Sequence, residues 1–176
     1  MPMPPPPPGV RADLEPVFRA SYPRVVGVAA RVLGSRDEAE DVAQEVFLSF
    51  GRSTVPAGEA DGWLCVAAAH TALNQQRTRR RRVAREVAHV RTDPARGGAA
   101  PDAAEAVLAR EERRRVRDAL ARLPRKQAIA LVLRHSGLSY AEVAAALGLS
   151  LGSVGTTVRR AESALRKELN HDASSD

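Results

Sequence analysis

Residues 138–165, LSYAEVAAALGLSLGSVGTTVRRAESAL, constrain the fold more than any other stretch. Ser139 with Glu142 three places on is a capping box, in which each side chain satisfies a backbone N–H that a helix start leaves orphaned. The helix it opens runs to Leu147, and Gly148 is the expected left-handed stop. Ser150 is placed to cap a second helix only two residues later. Two helices joined by so tight a turn cross steeply, which is a helix-turn-helix. On a wheel at about 100° per residue, Leu151, Val154, Val158, Ala161 and Leu165 form the core stripe of the second helix. Ser153, Thr156, Thr157 and Arg160 fall opposite. A shallow face of small hydrogen-bonding groups plus arginine suits the major groove of DNA, and Arg159, Arg166 and Lys167 add phosphate contacts at its rim. The bland alternative is a helical hairpin with a solvated face; box, stop and cap occurring together weigh against it. Gly155 inside the second helix costs about 1 kcal/mol relative to alanine. It either permits close backbone approach or records relaxed demands on the helix.

A groove-reading helix needs a polyanion, and here the charge balance becomes informative. The 176 residues carry 27 Lys+Arg against 21 Asp+Glu, a formal net charge of +6, and nearly all the cations are arginine. Such a balance favours nucleic acid first, an acidic protein or membrane surface second. GC-rich codons explain arginine abundance but not its clustering at RTRRRR, residues 77–82. A single cysteine, Cys65, excludes an intrachain disulfide and fits the cytoplasm. No stretch approaches the roughly 18 apolar residues of a spanning helix, so no membrane insertion is expected. The opening MPMPPPPPGV lacks the basic-then-apolar order of a signal peptide.

No strand alternation and no internal repeat appears, so the fold class is all-α. Two small helical domains are expected, joined by a flexible linker, with the C-terminal one a helix-turn-helix. The boundaries read as a disordered Pro-rich tail over 1–12, a domain over 13–91, a linker over 92–104 (TDPARGGAAPDAA), a domain over 105–170 and a tail over 171–176. The first domain opens with a pair of helices showing Val25, Val26, Ala29, Ala30 and Leu33 at helical spacing, closed by Gly34. Ser35 caps the next helix. Its core side is Val42, Ala43, Val46, Phe47 and Phe50, and its opposite side carries Asp37, Glu38, Asp41, Gln44, Glu45 and Leu48. A leucine inside an acidic exposed stripe is an apolar anchor with a charged rim, the pattern of a docking face; an ordinary solvated acidic helix is the other reading. After a loop, a long helix runs from Trp63 into the arginines. Trp63, Ala67, His70, Asn74, Arg77 and Arg81 share a face suited to DNA backbone and an unstacked base. Trp63 fits the core better than a stacking platform, and His70 has an alternative as a surface histidine without a role. Cys65 lies toward the buried side, as packing.

Together these residues resemble the extracytoplasmic-function sigma factors, the small two-domain class of bacterial transcription initiation factors. The resemblance rests on YPRVVGVAARVLGSRDEAEDVAQEVFLSF, on WLCVAAAHTALNQQRTRR, and on LARLPRKQAIALVLRHSGLSYAEVAAALGLSLGSVGTTVRRAESALRKEL. Its most specific parts are D-x-x-Q-E-x-F at Asp41–Phe47 and L-P-x-x-Q at Leu123–Gln127. The resemblance implies that Asp37, Glu38, Asp41, Gln44, Glu45 and Leu48 dock on core RNA polymerase. It implies that Trp63, His70, Asn74, Arg77, Arg80 and Arg81 engage the promoter's −10 element, and that Ser153, Thr156, Thr157, Arg159 and Arg160 read the −35 element. It also implies a linker threading the polymerase and an anti-sigma factor as a partner of opposite effect. Departures stand at Ala69-His70, where the family usually has Arg-Asn; at Asn74, where Asp is common; at Gly155 and Thr157, where basic residues are usual; and at Gly51-Arg52, where an aromatic often follows. Promoter preference therefore does not carry over. Two other functions fit part of the chain: a stand-alone helix-turn-helix regulator, and a sigma-like decoy or adaptor. An enzyme fits poorly. His70, His89, His135 and His171 lack ligand-like spacing, no phosphate loop or nucleophile arrangement is present, and no metal or cofactor is expected.

Overall fold

The computed structural model describes residues 9–89 and 101–174, and every regular element among them is helical. α1, Leu14–Leu33, is one helix rather than the expected pair. It runs straight through Pro23, whose ring is exposed. An interior proline removes a hydrogen bond and costs about 3 kcal/mol. Val17, Ser21, Val25, Val28 and Val32 on one continuous buried stripe outweigh that cost. Gly34 ends the helix at φ 71°, donating its N–H to Ala30 O at 2.7 Å. The positive φ is what calls for glycine there, since the only near atoms a Cβ would meet belong to the flexible end of Arg117.

α2, Arg36–Gly51, starts as its sequence reads, with the Glu38 N–H donating to Ser35 Oγ at 3.4 Å. A 3-10 turn at Ala57–Glu59 leads into α3, Ala60–His89, which begins three residues before the expected Trp63. α3 presents Ala68, Ala69 and Ala72, all fully buried, to α1 and α2. Alanine lets helices pack closely, which is how a chain with 3% aromatic residues fills its core. Phe18, Tyr22 and Phe47 close one end of this bundle, with ring centroids 4.6 Å apart for Phe18–Tyr22 and 4.9 Å for Phe18–Phe47. Nearby, before the start of α1, Arg11 lies 4.1 Å above the Phe50 ring and donates to Val55 O at 2.6 Å.

The second block is α4 (Pro101–Arg122), α5 (Arg125–His135), α6 (Tyr140–Leu147) and α7 (Leu151–Ala173). Most of the segment expected as linker lies outside the described residues, as do residues 1–8 of the Pro-rich tail and the last two residues of the chain. Residues 101–104 form the first turn of α4, where proline at the first helical position sacrifices only a donor that is orphaned anyway. The two blocks do not stand apart. Leu120, Leu123, Ile129 and Leu133 continue the core that Val25, Phe50, Leu64 and Leu73 begin. At the seam Gln76, 3% exposed, donates its amide to Asp118 Oδ1 at 3.0 Å.

Candidate DNA and polymerase interfaces

The axes of α6 and α7 meet at 97°. Local chemistry sets that corner. Ser139 N–H donates to Glu142 Oε2 at 2.6 Å and Glu142 N–H to Ser139 Oγ at 3.1 Å, so both arms of the capping box are closed. Gly148 turns left-handed at φ 62°, and Leu149 N–H reaches back to Ala144 O at 2.9 Å. Ser150 Oγ then accepts from Ser153 N–H at 3.2 Å to start α7. Val154, Val158 and Ala161 are buried against the rest of the block, and Leu165 half so. Leu151, expected on that stripe, is instead 59% exposed. Helical side chains lean toward the N-terminus, so one at the first position projects past the helix end. Ser153, Thr156, Arg159 and Arg160 are exposed on the far side, with Thr157 half-buried beside them. Thr156 Oγ1 donates to Gly152 O at 3.2 Å, leaving its lone pairs to accept from a partner.

On α2, Asp37, Asp41, Gln44 and Glu45 are exposed around Leu48, itself 63% accessible. Glu38 differs from them: it is half-buried and ion-paired with Arg79 of α3. Four oxygen-bearing side chains and a bare leucine therefore share one open stripe.

The α3 face is partly engaged from within the chain, with His70 and Asn74 still exposed. Trp63 is half-buried with its ring 6.0 Å from that of Phe50, at the margin of the core. His70 and Asn74 are bridged by Arg125 from the start of α5, which donates to Asn74 Oδ1 at 2.8 Å and to His70 Nε2. Burial lowers the His70 pKa from its ordinary value, and the charges of Arg125 and Arg77 lower it further. Arg77 donates from Nε to Ala121 O at 2.9 Å and from Nη2 to Leu123 O at 2.8 Å. Burial, followed by the neighbouring Arg125, Arg81 and Arg80, pulls its pKa down. Arg80 is half-buried and Arg81 exposed. Sequence reasoning missed Arg125 and Gln76, because nothing local brings position 125 beside position 70. It also missed Arg24, whose Nη1 pairs with Asp61 at 2.7 Å and with Glu142 at 3.4 Å, joining α1, α3 and α6. Cys65 is buried with its thiol pushed up to about 12, which makes it inert packing. Among the described residues no group of three or more His, Cys, Asp or Glu side chains is placed to hold a metal ion. None of the described helices is by itself long and apolar enough to cross a membrane.

An all-helical chain with a helix-turn-helix at one end and a basic helix within the other block is, as a class, a DNA-binding protein. Comparison with known proteins gives the family. The Sigma-70 region 2 model matches residues 17–82 and the Sigma-70, region 4 model residues 113–165. The chain is 32% identical over 151 residues to the ECF RNA polymerase sigma factor SigK of Mycolicibacterium vanbaalenii, spanning 82% of this chain and 75% of that one. It is 33% identical over 165 residues to the RNA polymerase sigma factor CarQ of Myxococcus xanthus, spanning 92% and 91%. The fold matches the sigma factor RpoE of Bartonella quintana, crystallised with the anti-sigma factor NepR, at a TM-score of 0.51 and 23% identity over 90% of this chain and 97% of that one. The chain belongs to the extracytoplasmic-function sigma factors. It binds core RNA polymerase and directs promoter-specific transcription initiation.

Proposed function

We propose a division of labour within this sigma factor. Residues 13–91 form a region 2-like domain, 92–104 a linker that passes through the polymerase, and 105–170 a region 4-like domain. Asp37, Glu38, Asp41, Gln44, Glu45 and Leu48 dock on core polymerase, with Leu48 as anchor. Trp63, His70, Asn74, Arg77, Arg80 and Arg81 engage the −10 element. Ser153, Thr156, Thr157, Arg159 and Arg160 meet the −35 element. The observation that carries this reading is α7 itself: a helix turned 97° from its partner, with valines buried on one side and hydroxyls and arginines bare on the other. The protein works in the cytoplasm, and bond-making belongs to the polymerase. An anti-sigma protein, like the NepR bound to the matched RpoE, holds it inactive until a signal arrives.

The test separates reading from holding. Ser153→Ala and Thr156→Ala relax the choice among promoters in reconstituted transcription. Arg159→Ala and Arg160→Ala weaken all promoters alike and lower the salt slope of binding by about 1 each. If all four variants transcribe the same promoters with the same strength and salt dependence, α7 is not the reading helix.

A further inference from the structure

Two clefts adjoin on the side of the molecule where the end of α1 meets α4. One has a volume of 360 Å³ and an apolar floor made by Leu120, Leu131 and Val132. These three side chains belong to the core, at 7%, 4% and 2% exposure, so the cleft reaches down to the interior. Val116 of α4 and Leu165 of α7 wall it. Its size falls within the range of roughly 300–1,000 Å³ that small ligands fill.

The second cleft, of 590 Å³, is lined by Gly34 and by Arg110, Arg113, Arg114 and Arg117 of α4. Steps of three and four place those arginines on one side of the helix. Arg114 is committed to Glu111 and Asp118. Among the described residues, no carboxylate pairs with Arg110, Arg113 or Arg117. Arg117 lines both clefts, so the apolar chamber and the cationic one meet at a single guanidinium.

Guanidinium groups gathered on one helix side repel one another, and a phosphate relieves that repulsion through paired N–H···O bonds. The apolar floor calls for something more than phosphate. Water held against Leu131, Val132 and Leu165 is released only by a ligand that also carries hydrocarbon. A nucleic-acid strand supplies the anion and leaves the chamber wet.

We propose that the two clefts form one binding site for a small amphiphilic anion, in class a single-chain alkyl phosphate. The phosphate sits on Arg113 and Arg117, and the chain passes Val116 to lie over Leu131 and Val132. No side chain assigned above to the −10 element, the −35 element or core polymerase takes part, so the site stands independently of those assignments.

The full chain is titrated by isothermal calorimetry with hexyl, octyl and decyl phosphate, each below its micelle-forming concentration. The expected result is one site per chain, with affinity falling about fourfold for every CH₂ removed. Inorganic phosphate binds at least about a hundredfold more weakly than decyl phosphate. Arg113→Gln removes a charged donor and weakens all three esters by at least about tenfold. Val116→Glu sets a carboxylate at the mouth of the apolar cleft and weakens decyl phosphate by a similar factor. Both positions are exposed, so the two variants melt close to the parent. Arg52→Gln, an exposed arginine outside both clefts, leaves the affinity unchanged.

Affinity that does not depend on chain length reduces the site to an adventitious ion only, held by surface arginines, and overturns the proposal. Binding that survives both Arg113→Gln and Val116→Glu puts the ligand elsewhere and overturns it equally. So does a loss in Arg52→Gln as large as that in Arg113→Gln, since the attraction is then diffuse charge. Absence of saturable binding by decyl phosphate overturns it outright.

Discussion

Leu48→Ala is the sharpest probe of the α2 stripe proposed to dock on polymerase, because position 48 contributes almost nothing to the folded chain by itself. Fully burying a leucine is worth about 1.5–3 kcal/mol. With 63% of Leu48 still accessible, docking has about 1–2 kcal/mol left to gain from it. At about 1.4 kcal/mol per factor of ten, truncation to alanine weakens core binding by about 5- to 25-fold. Stability changes by no more than about 0.5 kcal/mol, the ordinary range for a surface site. The assay is anisotropy of labelled protein titrated with core polymerase, alongside denaturant unfolding. Val46→Ala is the control on the same helix. That side chain is 3% exposed, so its loss costs about 2 kcal/mol of stability and leaves the docking contacts in place. The reasoning is refuted if Leu48→Ala binds core as tightly as the parent, or if it unfolds as readily as Val46→Ala.

Gly155→Ala raises stability by about 1 kcal/mol and the melting temperature by about 3 °C. The nearest atom to the new methyl is Arg159 Nη2 at 3.8 Å, so nothing in the chain opposes it; a drop in melting temperature by calorimetry contradicts this. Ser139→Ala lowers stability by about 1 kcal/mol through loss of the cap. Glu142→Gln costs less than about 0.5 kcal/mol, since glutamine closes a capping box and the pair with Arg24 is solvent-screened. Equal costs in denaturant unfolding refute that ordering. The folded-state pKa of His70 lies below its unfolded value of 6.5, so the unfolded chain binds the extra proton first on acidification. The stability held by neutral His70 is intact above that value and is lost as pH falls through the lowered one, where imidazolium meets Arg125 and Arg77. Unfolding midpoints of the parent therefore fall more steeply between about pH 7.5 and about pH 5.5 than those of His70→Gln, and parallel profiles contradict it.

What the sequence made legible was local. Ser35, Ser139 with Glu142, Gly148 and Ser150 each act within three or four residues, and each is found capping or stopping its helix. Periodicity likewise located the stripe of Val154, Val158 and Ala161, and left Leu48 outside the core. Where a local preference competed with burial, the reading went astray. A pair of helices is expected before Gly34, yet the valines of α1 pack as one stripe through Pro23. Leu151 obeys the period but stands at a helix end, where a wheel says nothing about cover. The contacts of Arg125 with His70 and Asn74, and of Arg77 with Ala121 and Leu123, span 44 to 55 positions. Arg77, His70 and Asn74 were legible as a face. Their partner was not, since an arginine after Leu-Pro carries no sign of which distant helix it meets.

The central claim, promoter-specific initiation, is tested most directly by transcription from a defined system. The purified protein is incubated with sigma-free bacterial core polymerase and genomic DNA, and the 5′ ends of the transcripts are mapped. The account predicts discrete start sites that share −10 and −35 motifs upstream and vanish when the protein is omitted. Core polymerase that binds the protein yet yields no protein-dependent start sites would contradict it.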